Sequence, residues 1–447
     1  MRSWRCFQRC QLIEVCRNCL EVFCSVHSEV PMRFQSRSAW TRHAGPKKYS
    51  TGRLLEGVRV LDMTRVLAGP LCTMILGDMG AEVVKIEKPG MGDETRNWGP
   101  PFIGTESCYF LSVNRNKKSV VVDIGSPKGA QIIQEMAKSC DVLVENFLPG
   151  KLKSYGLGYE ELSRLNPGIV YCSISGYGAS GPYSGRGGYD VIVSALGGMM
   201  HITGPEKGEP CKVGTAMTDI STGLYAHGAI LAALLRRHKT GKGTKIDCNL
   251  LSTQVANLVN LGTNFLNTGI EPRRWGTAHE SIVPYQAFPT SDEQHIVVGA
   301  GSDSQFTALC SLMKTSFHTN ERFSSNKARV RNRKELVELL MAEFKKKPLA
   351  EWLEVFTQAK FAYGPINTFA QVFADPQVQH NQMVFEIQHE KAGSIRLISN
   401  PVIVSDADMT AQLAPPLLGE HTEEVLEQIL KLDAQAIDKL RNDKVIQ

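Results

Sequence analysis

The sequence predicts an α/β protein with a parallel sheet and a smaller α+β domain. Short apolar segments alternate with helical patterns from residue 54 onward, as in parallel sheets that helices cover on both faces. After about residue 268 the pattern changes to two short strands around a polar turn, which indicates a hairpin. A chain of 447 residues is long enough for two to three domains with full cores.

Each predicted element rests on a local signal. The first helix begins at a proline and is followed by Gly80, which are typical start and stop residues. Predicted strands lie at residues 58–62, 82–86, 119–123, 142–145, 169–173, 283–288 and 295–298, and predicted helices at 70–79, 128–138, 159–165, 219–237, 250–267 and 422–432.

Positive charge is concentrated at the start of the chain. Residues 1–53 carry ten Lys and Arg against three Glu, and residues 32–53 carry no acidic residue. This composition is typical of a mitochondrial transit peptide, so we expect a leader and a location in the mitochondrial matrix. The remaining residues carry a net charge of −2, which argues against a nucleic-acid partner.

Residues 1–31 fit the leader less well because they contain Glu. Cys16, Cys19, Cys24 and His27 have a spacing that imitates zinc ligands. The alternative is that Met32 is the working start and residues 1–31 are an upstream extension. Both readings stay open at this point.

The other seven cysteines are scattered and never form C-x-x-C, which predicts buried, reduced thiols and no disulfide framework. The most apolar segment, residues 226–235, is too short to span a bilayer. It therefore predicts a core helix, and no membrane partner is expected.

The common cofactor motifs are missing or misplaced. G-x-G-x-x-G occurs at residues 176–181 but runs into Pro182 and further glycines, so it cannot open the helix that a dinucleotide site requires. The sequence has no Walker A, H-E-x-x-H or G-x-S-x-G motif. We therefore predict no permanently bound cofactor and no metal.

Two aspartates remain in glycine-rich settings, Asp190 and Asp219. Asp219 precedes an apolar helix, and the simpler interpretation is that it caps that helix. The alternative is a nucleophile that the helix N-terminus keeps ionised. For Asp190 the simpler interpretation is a turn residue.

Six motifs follow one another along the chain: LDMTRVLAGP at 61–70, GAEVVKIE at 80–87, PGMGD at 89–93, NRNKKS at 114–119, VENF at 144–147 and PPLLGEHT at 415–422. Together they resemble the class III CoA-transferases of the formyl-CoA transferase type. The resemblance implies a Rossmann-like large domain formed by residues 54–245 and 375–447. It also implies a small domain at 246–374 and an interlocked homodimer.

The resemblance also implies roles for single residues. The family's nucleophile matches Asp219, within G-x-x-x-x-D-x-x-x-G at 214–223, and a supporting acid matches Asp190. The family's CoA contacts match Val66, Leu67, Ala68, Lys88, Asn146 and Phe147. Ser154 and Tyr155 replace Arg and Met of some members, so those two contacts are not carried over.

The activity implied is transfer of CoA from succinyl-CoA, or a similar ester, to a dicarboxylic acid such as glutarate or hydroxymethylglutarate, through an aspartyl-CoA thioester. Arg115 and Arg274 are candidates to bind the distal carboxylate, because Arg binds carboxylates with two parallel hydrogen bonds; Arg273 is interpreted as a surface charge. Two alternatives are an acyl-CoA racemase, although Tyr189 replaces the His of that branch, and a catalytically silent CoA-binding protein.

Overall fold

The computed structural model describes residues 52–447. The predicted leader, apart from Gly52 and Arg53, and the zinc-like spacing from Cys16 to His27 lie outside the described residues.

Within residues 52–447 the strands form one large parallel sheet and three small antiparallel ones. Their bounds are β1 Arg59–Met63, β2 Glu82–Glu87, β3 Phe102–Ile103, β4 Glu106–Ser107, β5 Lys117–Val121, β6 Val142–Glu145, β7 Val170–Ser175, β8 Thr244–Asn249, β9 Tyr285–Pro289, β10 His295–Gly299, β11 Ala362–Pro365, β12 Val384–His389 and β13 Gly393–Ile398.

Helices connect and cover these strands. Their bounds are α1 Ala68–Asp78, α2 Cys108–Ser112, α3 Pro127–Ala137, α4 Tyr159–Leu165, α5 Asp190–Leu196, α6 Met199–Ile202, α7 Met217–Thr240, α8 Leu250–Asn257, α9 Val259–Thr268, α10 Asp303–Leu312, α11 Asn326–Arg331, α12 Arg333–Phe344, α13 Leu349–Val355, α14 Phe369–Ala374, α15 Pro376–His380, α16 Thr422–Leu430 and α17 Ala434–Asn442.

The large sheet has six parallel strands in the order β5-β2-β1-β6-β7-β8. β1 therefore lies in the middle of the sheet. β2 and β5 follow on one side of it, and β6, β7 and β8 follow on the other. The predicted parallel α/β architecture is confirmed. β8 was not predicted, since its sequence alternates polar side chains such as Lys245 and Asp247 with less polar ones.

Both faces of the large sheet are covered, as its apolar strands predicted. One face packs against α3, α4, α16 and α17, and the other packs against α1, α7 and α8; fully buried examples are Ile133, Leu162 and Leu426 on the first face, and Leu76, Ala226 and Ile230 on the second. The apolar segment 226–235 therefore belongs to a core helix. Within residues 52–447 no helix is both long and apolar enough to cross a bilayer.

A separate core forms around β9, β10 and β11. β9 and β10 pair antiparallel, with Phe288 opposite Ile296, which confirms the predicted hairpin. α10, α12 and α13 supply most of the other buried side chains of this core, including Phe306, Phe344 and Trp352. The predicted domain boundaries at residues 245 and 374 stay predictions.

The C-terminal segment packs beside β5. The amide of His421 donates to the Ser119 carbonyl at 3.0 Å, and the amide of Asp123 donates to the Val445 carbonyl at 2.8 Å. This segment therefore completes the edge of the large sheet.

The seven cysteines of the described chain are free thiols, and four of them are buried. Cys211 departs from the prediction because it is exposed.

α1 and α7 approach closely because Gly223 lies between them. A Cβ atom at Gly223 would lie 2.7 Å from the backbone oxygen of Ala68, and both helices pack against the large sheet. The contact brings the N-terminal turns of both helices to the same edge of the sheet.

We expect Gly223→Ala to lower the free energy of unfolding by about 1–3 kcal/mol, the usual cost of overpacking, although alanine favours helices. Lys239→Ala is the matched control, because Lys239 is exposed on the same helix, and it should change stability by less than about 0.5 kcal/mol. Urea unfolding measures both. Equal stability of the two variants would contradict the close contact.

Candidate active site

A cleft lies at the point where the order of the large sheet reverses. The carboxyl ends of β1 and β6 are neighbours there, and open α/β sheets bind ligands at such a point. The loops at residues 64–67 and 146–149 follow these strands, and together with the end of β7 they line a cleft of about 180 Å³. Asp219, in the first turn of α7, also lines it.

Asp190 fixes the start of α7. Its Oδ1 atom accepts hydrogen bonds from the amides of Thr218 at 2.8 Å and Asp219 at 3.3 Å. Asp190, which lies on α5, therefore accepts the hydrogen bonds that an N-cap side chain of α7 would accept. The interpretation of Asp219 as the cap is wrong, because Asp219 lies within the first turn. The Asp219 carboxylate lies inside the first turn, 9% exposed.

Burial raises the pKa of Asp219 from 3.8 to about 7, and the nearby Asp190 carboxylate adds to this effect. This corrects the expectation that the helix N-terminus keeps Asp219 fully ionised. A helix terminus stabilises an anion by about 0.3–1 kcal/mol, which lowers a pKa by less than one unit. Desolvation and like charge are therefore the larger effects here.

The loop before α1 has an unusual backbone. Val66 has a φ of +71°, a conformation that β-branched residues rarely adopt and that costs about 1–3 kcal/mol. The predicted contacts Val66, Leu67 and Ala68 all line the cleft. α1 begins at Ala68 and has no side-chain cap, so its first amides lie beside the cleft.

A buried ion pair between Lys85, on β2, and Asp93 stabilises this loop. Lys85 Nζ lies 3.0 Å from Asp93 Oδ2 and donates to the Thr64 carbonyl at 2.8 Å. The Asp93 carboxylate accepts a hydrogen bond from the Val66 amide at 3.3 Å. Burial opposes both charges, but Lys85 holds the pKa of Asp93 below its ordinary value. The pair therefore stays ionised and fixes the strained residue.

A second buried pair holds α1. Lys117 Nζ lies 3.0 Å from Asp62 Oδ2 and donates to the Pro70 carbonyl at 2.9 Å. Asp62 also accepts a hydrogen bond from the hydroxyl of Thr73, at 2.7 Å. The first turns of α1 are thus tied to β1 and β5.

Asn146 and Phe147 reach the cleft, as predicted, but in different ways. The Asn146 amide group accepts from the Arg65 amide at 3.0 Å and donates to the Arg65 carbonyl at 2.7 Å. Its polar atoms therefore bind the neighbouring loop. The Phe147 ring lines the cleft, and its amide donates to the Glu145 carboxylate at 2.8 Å.

Three predicted basic residues do not line the cleft. Lys88 is exposed beyond the end of β2. Arg274 donates to the His201 carbonyl at 3.0 Å, and its buried Nε atom has no hydrogen-bond partner within residues 52–447.

Arg115 is the third of these basic residues and also lies outside the cleft lining. Its guanidinium is buried and binds both carboxylate oxygens of Asp78, at 2.8 and 2.6 Å, and the Ile398 carbonyl at 3.0 Å. These contacts occupy the guanidinium with structural partners, and its predicted role as a substrate ligand stays a prediction.

The sequence analysis missed two arginines and one tyrosine. Arg65 and Arg186 line the cleft; Arg65 lies within the recognised motif at 61–70 and Arg186 lies four residues before Asp190, so position along the chain was the available signal. The Tyr109 pKa is raised to about 12 by burial, and then by the carboxylates of Asp219 and Asp190. Tyr109 therefore stays a neutral hydrogen-bond donor near the two acids.

A larger cleft of about 1150 Å³ lies around Trp275. The guanidinium carbons of Arg273 and Arg333 lie 3.9 and 4.6 Å from the Trp275 ring centre. Arg273 also lies 3.5 Å from the Glu206 carboxylate. Asp219 lines the smaller cleft and not this one, so the smaller cleft is the candidate active site.

Residues 55–422 match the family described as CoA-transferase family III. The chain belongs to that family. It is 53% identical to human succinyl-CoA:glutarate CoA-transferase over 88% of this chain and 90% of the relative. It is 39% identical to succinate–glutarate CoA-transferase of Agrobacterium fabrum, over 86% and 97% of the two chains.

A solved structure supports the same family. A CAIB/BAIF family protein from Brucella suis superimposes with a TM-score of 0.76 at 39% identity, and the match covers 84% of this chain and 99% of that one. The chain is therefore a class III CoA-transferase, an enzyme whose substrates are CoA thioesters.

We predict that Asp219→Asn increases the stability of this CoA-transferase at alkaline pH. Between about pH 4 and 7 the folded enzyme keeps a proton on Asp219 that the unfolded chain has released, so the free energy of unfolding falls as pH rises. The amide variant does not carry this cost. Urea unfolding should show it to be more stable at pH 8, with the difference shrinking towards pH 4.

The exposed Asp406 provides the control for this measurement. Asp406→Asn should follow the pH dependence of the wild type. If Asp219→Asn also runs parallel to the wild type at every pH, the raised pKa is wrong.

We also predict that Arg115→Met lowers the free energy of unfolding by about 3–5 kcal/mol, because it leaves the buried Asp78 carboxylate without its cation. The folded fraction should keep the wild-type KM for the acceptor acid. Urea unfolding and steady-state kinetics test both parts. Unchanged stability with a raised KM would instead return Arg115 to the substrate site.

Proposed function

We propose that this enzyme transfers CoA from succinyl-CoA to glutarate through an aspartyl-CoA thioester on Asp219. The observation that carries the proposal is a buried carboxylate in the cleft, with no Lys, Arg or His nitrogen within 4.0 Å in residues 52–447. The names of the human and Agrobacterium relatives support glutarate as the acceptor. Hydroxymethylglutarate is the second acceptor to test.

The chemistry needs only this carboxylate and the two substrates. An Asp219 oxygen attacks the thioester carbon of succinyl-CoA, the C–S bond breaks, and CoA leaves as a thiolate. The product is a mixed anhydride between succinate and Asp219. The thiolate then attacks the Asp219 acyl carbon and releases succinate, which leaves an aspartyl-CoA thioester. Glutarate takes the CoA by the reverse of these steps.

The raised pKa of Asp219, about 7, suits a nucleophile. A desolvated carboxylate is less stabilised than one in water, so attack on the thioester costs less. The same low exposure keeps water away from the anhydride, which would otherwise hydrolyse. The first amides of α1 lie beside the cleft and support the oxygen on which negative charge develops.

Asp190 is the positioning residue in this proposal. Its hydrogen bonds to the amides of Thr218 and Asp219 hold the nucleophile's backbone, and its charge raises the pKa of Asp219.

We infer a homodimer from the apolar side chains that the single chain exposes. They lie on or beside α5, α7, α8 and α9 and at several positions between residues 366 and 403; those at least 54% exposed are Tyr189, Ile192, Tyr225, Leu235, Val255, Val259, Leu266, Ile270, Phe369, Ile398 and Ile403. Large exposed apolar side chains in such numbers support a protein interface.

We infer import into the mitochondrial matrix from residues 32–53, which contain Arg33, Arg37, Arg42, Lys47 and Lys48 and no acidic residue.

The test is to trap the intermediate. With succinyl-CoA present, hydroxylamine should inactivate the enzyme and convert the Asp219 side chain to a hydroxamate, which peptide mass spectrometry locates. Asp219→Ala should reduce transfer to glutarate by about 10⁴-fold or more and escape the label. Asp190→Asn keeps an oxygen that accepts the two amides, so it should remain labelled and lose less activity.

Substantial transfer by Asp219→Ala would overturn the mechanism. Solvent deuterium at the α-carbon of an acyl-CoA would indicate a racemase. CoA binding without transfer to any acid would indicate a silent binding protein.

A further inference from the structure

The cleft contains one basic side chain that no acidic side chain neutralises. Among the described residues its lining carries two cations, Arg65 and Arg186, and two carboxylates, Glu94 and Asp219. Arg65 lies 3.3 Å from Glu94, so those two charges offset each other. Arg186 has no carboxylate within 4.0 Å in residues 52–447, and its guanidinium donates no hydrogen bond there. All of its donors are therefore free for a ligand.

The loop around Arg186 holds it beside the cleft. The Arg186 amide donates to the Tyr183 carbonyl at 2.9 Å, and its guanidinium carbon lies 4.2 Å from the centre of the Tyr183 ring. The Tyr183 ring in turn packs edge-on against Tyr177, 5.7 Å away. The aromatic contact orients the guanidinium before any ligand arrives.

The end of this loop is tied to the large sheet. A Cβ atom at Gly188 would lie 2.6 Å from the Cα atom of Gly176, the residue that follows β7. The two backbones therefore touch, and no larger residue fits at either position. This contact holds the C-terminal end of the loop against the end of β7, two residues after Arg186.

We propose that Arg186 binds the second, non-reacting carboxylate of the dicarboxylic acid and so makes the enzyme prefer diacids to monoacids. The inference rests on the proposed function, in which one carboxylate of the acid reacts at Asp219. The other carboxylate is ionised at neutral pH and needs a cation in a partly desolvated cleft. A guanidinium meets a carboxylate with two parallel hydrogen bonds, which also fixes the direction of the acid.

The experiment compares glutarate with butyrate, which lacks the second carboxylate. For Arg186→Gln we expect the KM for glutarate to rise about 10- to 100-fold, as for a lost charge-assisted hydrogen bond. The inhibition constant of butyrate, measured against glutarate, should stay the same, and kcat should change less than about threefold. Arg186→Lys keeps the positive charge but cannot donate two parallel hydrogen bonds, so its KM for glutarate should lie between those of the wild type and Arg186→Gln.

Two controls separate this role from others. Arg164→Gln removes the same charge from an exposed position on α4 and should leave the KM for glutarate unchanged. The dissociation constant of free CoA, measured by calorimetry, should be the same for Arg186→Gln and the wild type. The variants should fold normally, because the turn at Tyr183 uses only backbone atoms of residue 186.

The proposal is overturned if Arg186→Gln keeps the wild-type KM for glutarate. It is also overturned if CoA binding weakens as much as glutarate binding, because Arg186 would then hold a phosphate of CoA. Failure of the proposed function looks different, since the wild type would then transfer no CoA to glutarate. In that case the diacid that the wild type accepts, with its monoacid analogue, gives the same comparison.

Discussion

The buried ion pair between Lys85 and Asp93 is the contact on which the active site depends. It connects β2 to the loop before α1. Asp93 accepts a hydrogen bond from the Val66 amide, and this bond stabilises the positive φ of Val66. The Asp93 amide donates to Glu87 at 2.8 Å, and Glu87 accepts from the Ser119 hydroxyl at 2.6 Å. One connected set of buried charges thus runs from the cleft to the sheet edge. Such pairs contribute little net stability but penalise other arrangements.

Asp219 differs from three other buried acids of this region, whereas Glu145 shares its raised pKa because burial dominates there as well. Asp62, Glu87 and Asp93 each have a cation within 3.0 Å, and their pKa values lie below the ordinary range. Asp219 has another carboxylate near it instead, and its pKa is raised. A neighbouring cation therefore offsets the effect of burial at Asp62, Glu87 and Asp93, whereas a neighbouring carboxylate adds to it at Asp219.

Much of the fold could be predicted from sequence because a buried parallel sheet has a distinct apolar pattern. β6 was predicted with its observed bounds, and Asp219 was recognised beside α7. β8 was missed, since it is an edge strand with polar side chains on one side. The position of Arg115 was missed for a different reason: the sequence contains no signal that its guanidinium binds Asp78, on α1, and the Ile398 carbonyl. Whether an arginine can bind a ligand therefore depends on acidic residues and carbonyl groups that are distant from it in sequence.

The seam between β5 and the C-terminal segment has a consequence for how the chain folds. Val121 and Thr422, which meet there, are 301 residues apart. Closing so long a loop has an entropic cost that grows slowly with length but must be met before the contact forms. Contacts of this kind slow folding and leave strand edges open in partly folded chains. The enzyme should therefore refold slowly from denaturant and depend on chaperones more than a protein of equal size with local contacts.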